Sequence, residues 1–132
     1  MKLYHSASSP NSRRVRILLA EKGLAPELVA IDLGKGEQHS EAYRAIAGPH
    51  DYAQIPQLVE RGALRVRNLL GDVELRLRDA PFVAGERFSV ADITLLVTID
   101  FAAKAMDLHL SDEFPALLHW HDTVSKRPSA WA

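Results

Sequence analysis

Phe88-Ser89-Val90-Ala91-Asp92-Ile93 is the stretch around which the rest of the chain is organised. Ser89 is a strong helix N-cap. Asp92, three residues on, stands where a capping box places its acid; the box prefers Glu or Gln, so Asp is a shorter version of it. Phe88 at N′ and Ile93 at N4 have the spacing of a hydrophobic staple, which sets the angle at which the chain enters the helix. Beyond them Ile93, Leu95, Leu96, Val97, Ile99, Phe101, Ala102 and Ala103 point in nearly every direction around a helical axis. The pattern therefore predicts a buried core helix from Ser89 to Lys104, about 24 Å long and able to cross a small domain.

Length and composition bound what that helix belongs to. At 132 residues the chain is expected to be one domain, or two very small ones sharing a core. A net charge of -1 gives no reason to expect nucleic acid or an anionic membrane as partner. No apolar run is long enough to span a bilayer. The opening residues Met1-Lys2-Leu3-Tyr4-His5 lack the apolar core of a signal peptide, so a cytoplasmic location is expected. There is no cysteine, which removes disulfides, thiolate metal sites and CxxC redox chemistry together.

Upstream of the core helix the pattern is mixed. Lys2 to His5 reads as a short strand and Ser6 to Ser12 as a loop or helix start. Val15, Ile17, Leu18 and Leu19 follow a helical period that ends at Gly23, a typical C′ residue. Leu28 to Leu33 reads as a second strand. Strand, helix and strand with a crossover of this length form a βαβ unit with parallel strands. Gly34 to His39 is a polar loop, and Glu41 to Ala47 a short helix stopped by Gly48-Pro49. From Pro56, a suitable N1 residue, Leu58, Val59, Ala63, Val66, Leu69, Leu70, Val73 and Leu77 repeat at helical spacing. A hairpin of Ile55–Val59 and Ala63–Val66 turning at Gly62 competes with that helix. A last helix is expected with Asp112 and Glu113 capping it, Pro115 near its start, and Leu117, Leu118, Trp120 and Val124 on one face. The fold class is α+β.

A βαβ unit places its helix N-terminus at the carboxyl end of the first strand, where ligands of open α/β sheets bind. Here that point is Ser8-Ser9-Pro10-Asn11-Ser12. Unpaired N–H groups and a partial positive charge favour an anion there, a thiolate among others, with Ser hydroxyls and an Asn amide as extra donors. The same residues also suit a plain helix cap, with Ser9 or Ser12 as N-cap and Pro10 at N1. His119 and His121 are two apart, diverge on a helix and cannot share a metal, so no metal site is expected. Asp100 reads as a buried, hydrogen-bonded structural group. Arg13, Arg14 and Arg16 read as a solvated helix face beside the candidate site.

Two stretches carry a family likeness. Tyr4-His5-Ser6, with Ser9-Pro10-Asn11-Ser12-Arg13-Arg14-Val15-Arg16-Ile17-Leu18-Leu19-Ala20-Glu21-Lys22-Gly23-Leu24, resembles the start of a cytosolic glutathione transferase. Pro81-Phe82-Val83-Ala84-Gly85-Glu86-Arg87-Phe88-Ser89-Val90-Ala91-Asp92-Ile93-Thr94 resembles the capping-box signature of that family's helical domain, and Arg127-Pro128-Ser129 its usual ending. The resemblance implies a partial thioredoxin-like N-terminal domain over 1–48 and an all-helical C-terminal domain over 54–132. It implies glutathione as co-substrate, bound as thiolate and attacking a small electrophile. Serine-type members carry the activating hydroxyl six residues before the Val of the Val-Arg-Ile stretch, which is Ser9 here. Related bacterial classes have Thr-Pro-Asn where this chain has Ser9-Pro10-Asn11. Ser9 and Asn11 are thus implied as the catalytic donors, and Ser9, Pro10, Asn11, Gln38 and His39 as glutathione contacts, the last two at the glycyl end. For the basic cluster, an arginine meeting a glutathione carboxylate is the alternative to a solvated face.

The chain also departs from the family pattern. There is no Glu-Ser or Gln-Ser pair for the γ-glutamyl end, and Ile55-Pro56 only superficially resembles the family's cis-proline pair. The second half of the thioredoxin-like part and the first helices of the bundle are missing on this reading, as if by internal deletion. A two-stranded sheet leaves open edges, which leads to the expectation of a homodimer that completes the sheet, or of a shortened relative of poor stability. A non-catalytic binding or assembly module, or an inactive deleted relative, are the readings that compete with a working transferase.

Overall fold

The structure, a computed structural model, describes residues 1–47 and 57–132. β1 (Lys2–His5) leads into α1 (Pro10–Glu21) and back to β2 (Glu27–Ala30). The two strands pair in parallel, with Lys2 opposite Glu27 and His5 opposite Ala30. A 3-10 turn at Glu37–His39 and α2 (Glu41–Ala47) follow. The helical part consists of α3 (Gln57–Asp79), α4 (Val90–Met106), α5 (Pro115–Ser125) and a final 3-10 turn at Pro128–Trp131. This is the expected α+β arrangement. Ala63–Val66 lies inside α3, so the competing hairpin does not form; Gly48-Pro49 and Ile55-Pro56 lie outside the described residues.

α4 is anchored as its sequence indicates, and more strongly. The Ala91 amide donates to Ser89 Oγ at 3.2 Å, and the Ser89 amide donates to Asp92 Oδ2 at 2.9 Å, so the short acid closes the capping box. Asp92 is fully buried, and its other oxygen accepts from the Val83 amide and from the Trp120 indole, each at 2.9 Å. One carboxylate therefore ties together the turn before α4, the start of α4 and the middle of α5. Phe88 and Ile93 pack in one cluster with Ile17 and Val97, as a staple requires. The larger cluster joins Leu70, Val73 and Leu77 of α3 to Leu95, Leu96 and Ile99 of α4 and Leu117, Trp120 and Val124 of α5. Phe101, half-exposed, is the main exception to the burial expected along α4.

Two sequence expectations are corrected. Asp112 and Glu113 do not cap α5: its N-cap is Phe114, which offers no side-chain bond. The orphan amide of Leu117 donates instead to Oε2 of Glu74, a buried carboxylate on α3, at 2.9 Å. The second strand ends at Ala30 rather than Leu33, although the Ile31 amide still reaches the His5 carbonyl at 2.7 Å. Asp32 folds the chain away: its Oδ1 accepts from the amides of Gly34 (2.9 Å) and Lys35 (3.2 Å), an Asx turn that competes with the ladder.

α1 ends in a Schellman motif. Gly23, at φ +66°, donates to the Ala20 carbonyl at 3.0 Å, and the Leu24 amide reaches Leu19 at 2.9 Å. Its last turn is held to the end of the helical part by Glu21, which accepts from Arg127 at 2.8 Å and from Ser129 Oγ. The net result is that α1 lies against α4 and the final turn, with the fully buried Ile17 as its apolar anchor.

Candidate functional site

The turn between β1 and α1 is stitched by its own serines. The Ser6 amide donates to Ser12 Oγ at 3.2 Å, and the Ser9 amide donates to the Ser6 carbonyl at 3.2 Å. Ser9 is the N-cap of α1 and Pro10 occupies its first turn; Ser9 Oγ accepts from the Ser12 amide at 3.4 Å. The hydroxyl is half-buried, and among the described residues its hydrogen donates to no other group. Ser9 thus does what a cap does and keeps its proton at the positive end of a helix of 12 residues.

Ser9 lines a cleft of about 500 Å³ between α1 and α4. The Ala7–Pro10 turn, Arg13 and Arg16 form one wall. Asp100, Phe101 and Lys104 of α4 form the other, and the Ala130–Ala132 end closes it. Ser9 and Pro10 are the sequence-implied residues that line it. Asn11 is exposed and not in the lining; its Oδ1 accepts from Arg14 at 2.7 Å, which leaves the amide NH₂ as its donor. Gln38 and His39 sit in the 3-10 turn that packs on α2, also outside the lining. The structure therefore brings Ser9 and Pro10 together at the cleft and does not bring Asn11, Gln38 or His39 into it.

The arginine cluster is not a solvated face, which corrects the sequence expectation. Arg13 donates to Asp100 Oδ2 at 2.5 Å and to the Ala130 carbonyl at 3.1 Å. Arg14 donates to Thr98 Oγ1 at 2.8 Å, and Arg16 to the Ala132 carbonyl at 3.1 Å. Arg16 also lies 3.2 Å from His5 Nδ1. All three are half-buried and fasten α1 to α4 and to the chain's last turn. Desolvation, with Arg13 nearby, lowers the pKa of Arg16 from its ordinary value.

Asp100 is half-buried rather than buried, and hydrogen-bonded as expected. Oδ1 lies 2.8 Å from His121 Nε2 of α5, and Oδ2 takes Arg13. Burial pushes its carboxyl up, but the bonds from His121 and Arg13 outweigh that and hold it below the ordinary carboxylate value. Sequence reasoning missed Phe101, Lys104 and Trp131 as cleft residues. The first two follow Asp100 at +1 and +4 on one helix, a signal that has meaning only once Asp100 is known to face α1. Among the described residues no three His, Asp or Glu groups gather as a metal-ligand set, and no helix is long and apolar enough to cross a membrane.

A family model described as the glutathione S-transferase N-terminal domain matches residues 3–73, and one described as the glutathione S-transferase C-terminal domain matches residues 56–123. Each match takes in more than half of the 132 residues. The chain belongs to the glutathione S-transferase family. Glutathione S-transferase 2 of Saccharomyces cerevisiae is 43% identical over 53 residues, which is 40% of this chain and 22% of that protein. The disulfide-bond oxidoreductase YfcG of Escherichia coli is 29% identical over 76 residues, 57% of this chain and 34% of that protein. The matches thus span about a fifth to a third of the length of these relatives.

Solved glutathione S-transferase folds superpose along nearly the whole chain. A glutathione S-transferase domain-containing protein of Marinobacter aquaeolei gives a TM-score of 0.86 at 22% identity, covering 98% of this chain and 99% of that one. A glutathione transferase of Phanerochaete chrysosporium, in complex with oxidized glutathione, gives 0.78 at 22% identity, covering 97% and 91%. At this identity these likenesses establish the fold. They agree with a thioredoxin-like first part, here reduced to two strands among the described residues, followed by a helical second part.

Proposed function

We propose that this chain conjugates glutathione thiolate to small electrophiles, with Ser9 as the donor that holds the sulfur anion. The observation that carries the proposal is the half-buried Ser9 hydroxyl, its hydrogen uncommitted among the described residues, at the N-terminus of α1 and on the wall of a 500 Å³ cleft. The chemistry balances simply. The thiol proton leaves to solvent, the sulfur anion attacks an electrophilic carbon to form a C–S bond, and the leaving group departs with its electron pair or the electrophilic double bond takes up a proton. A hydrogen bond from Ser9 and the helix's positive end stabilise the anion before attack. A drop of about two units from a thiol pKa of about 8.5 raises the thiolate fraction at pH 7 from about 3% to about 75%. Glutathione brings its own sulfur, so the lack of cysteine is no obstacle.

The finer assignments rest on family resemblance. Asn11 is a second donor through its amide NH₂. Gln38 and His39 serve the glycyl end of the peptide. Residues 1–48 form the partial thioredoxin-like domain and 54–132 the helical one. The chain acts in the cytoplasm as a homodimer whose shared edge covers the β1–β2 sheet. Leu28, half-exposed on β2, and Leu24 beside it supply apolar surface for that edge.

Retention on immobilised glutathione, followed by turnover of 1-chloro-2,4-dinitrobenzene, tests the proposal. Ser9→Ala should lower conjugation about 100-fold, the usual effect of removing one anion-stabilising donor. Ser9→Thr, which keeps both hydroxyl and cap, should keep most of it. Turnover unchanged in Ser9→Ala refutes the role of Ser9. Failure of the wild-type chain to bind glutathione refutes the transferase reading and leaves a binding module.

A further inference from the structure

The electrophile side of the cleft has a charge and shape of its own. Phe101 and Trp131 line it and are 47% and 83% exposed, an unusual amount of bare aromatic surface for one recess. Three cations line it as well, and they are not equivalent. Arg13 is taken by Asp100 and the Ala130 carbonyl, and Arg16 is held by the Ala132 and Ser6 carbonyls and His5. Lys104 stands four residues after Asp100 on α4, the spacing at which an aspartate and a lysine on one helix normally pair. Here they do not pair. Asp100 instead takes Arg13 on one oxygen and His121 on the other, and Lys104 has no ion pair among the described residues. Among the described residues, two of the cleft's cations are thus satisfied and one is left exposed beside two exposed rings.

We infer that the cleft selects electrophiles that carry both an aromatic ring and an anionic group, a carboxylate or sulfonate, with the ring against Phe101 and Trp131 and the anion on Lys104. Such a ligand places its ring in the same recess as Ser9, so the inference rests on the transferase reading for its chemistry but not for its binding. Exposed aromatic side chains supply apolar area and orientation. The Lys104 ammonium, without an ion pair among the described residues, supplies the preference for charge. Because Lys104 is exposed, the preference is modest, about fivefold, as for an ion pair near the surface.

The experiment is a binding titration without glutathione. The chain has two tryptophans, and Trp120 is buried while Trp131 is exposed, so quenching of the exposed indole reports occupancy of the cleft. The ligands are 4-chloro-3-nitrobenzoate and its uncharged carboxamide, which share size and ring. The wild-type protein should bind the benzoate about fivefold more tightly, with the gap closing in 0.5 M salt. Lys104→Met should equalise the two ligands without weakening the amide, and Lys104→Arg should restore the gap. Far-UV circular dichroism of each variant confirms that it is folded. Equal affinities in the wild type, a gap that survives Lys104→Met, or no binding of either ligand overturns the inference. Conjugation with no benzoate preference would overturn it while leaving the transferase reading intact. A benzoate preference without glutathione binding would refute the transferase reading alone.

Discussion

Asp92→Ala should remove a large part of the chain's stability, because one side chain serves several donors that have no other partner. In the structure Asp92 accepts from the amides of Val83 and Ser89 and the indole of Trp120, each at 2.9 Å, and from the Ser89 hydroxyl at 3.1 Å. Alanine leaves three N–H donors unpaired at a site fully removed from water. At about 1–3 kcal/mol for each orphaned donor, and allowing one of them to reach solvent, the loss is about 3–6 kcal/mol. That compares with a total of about 5–15 kcal/mol for a domain of ordinary stability. Asp92→Asn keeps an acceptor for Val83 and Trp120 but turns an NH₂ toward the Ser89 amide, so it should cost about 1–3 kcal/mol. Ser89→Ala removes only the cap oxygen, about 1 kcal/mol. Urea unfolding followed by far-UV circular dichroism reads the order. With a slope of about 2 kcal/mol per molar, the Asp92→Ala midpoint should fall by about 2 M. The Trp120 indole proton should shift in both Asp92 variants. An Asp92→Ala protein within about 1 kcal/mol of the wild type, with an unshifted indole proton, would refute the reasoning.

Other predictions follow from single interactions. The Asp100 carboxyl is raised by burial but held below its ordinary value by His121 and Arg13. A folded-state pKa below the unfolded one, about 3.9, means that this stability is complete above that value and is lost as pH falls through the folded one. Unfolding free energies between pH 6 and pH 3 should therefore fall less steeply in Asp100→Asn, and parallel profiles would sink the assignment. Gly23→Ala should cost about 1 kcal/mol through the backbone alone, since φ is +66° and an added Cβ meets no atom within 4 Å. A midpoint shift smaller for Gly23→Asn than for Gly23→Ala is the expected signature.

The elements that were legible in the sequence are those specified within a few residues of themselves. Ser89 and Asp92 are three apart, Phe88 and Ile93 five apart, and Gly23 closes the helix it follows, so α4 and α1 could be read from local chemistry. The misread features depend on distant partners. The cap of α5 comes from Glu74, 43 residues upstream of Leu117. Arg13, Arg14 and Arg16 find acceptors at Asp100, Thr98, Ala130 and Ala132, from 84 to 117 residues along the chain. No periodicity encodes such meetings, and an arginine-rich helix face reads as solvated until its neighbour is known. The truncated second strand is different: Asp32 with Gly34 is a local turn signal, outweighed in the reading by the apolar run before it.

The cleft and the core are held together by different kinds of interaction. Ile17 is the only fully buried side chain of α1, seated against Ile93 and Val97. Leu18, partly buried, packs on the same cluster, and half-buried arginine bonds add to the α1–α4 junction. Pairs of that kind contribute up to about 1 kcal/mol each and weaken with salt, whereas the apolar α3–α4–α5 cluster is not subject to charge screening. Ser9 rides on α1, while Phe101 and Lys104 ride on α4. The distance between the proposed sulfur site and the proposed electrophile site is therefore governed by Ile17 and the Arg13–Asp100 bridge, and Asp100 has two functions at once. It holds α1 to α4 through Arg13, and it pairs with Arg13 and His121 rather than with Lys104, which has no ion pair among the described residues. The charge on this carboxylate thus bears on the geometry of the cleft through Arg13.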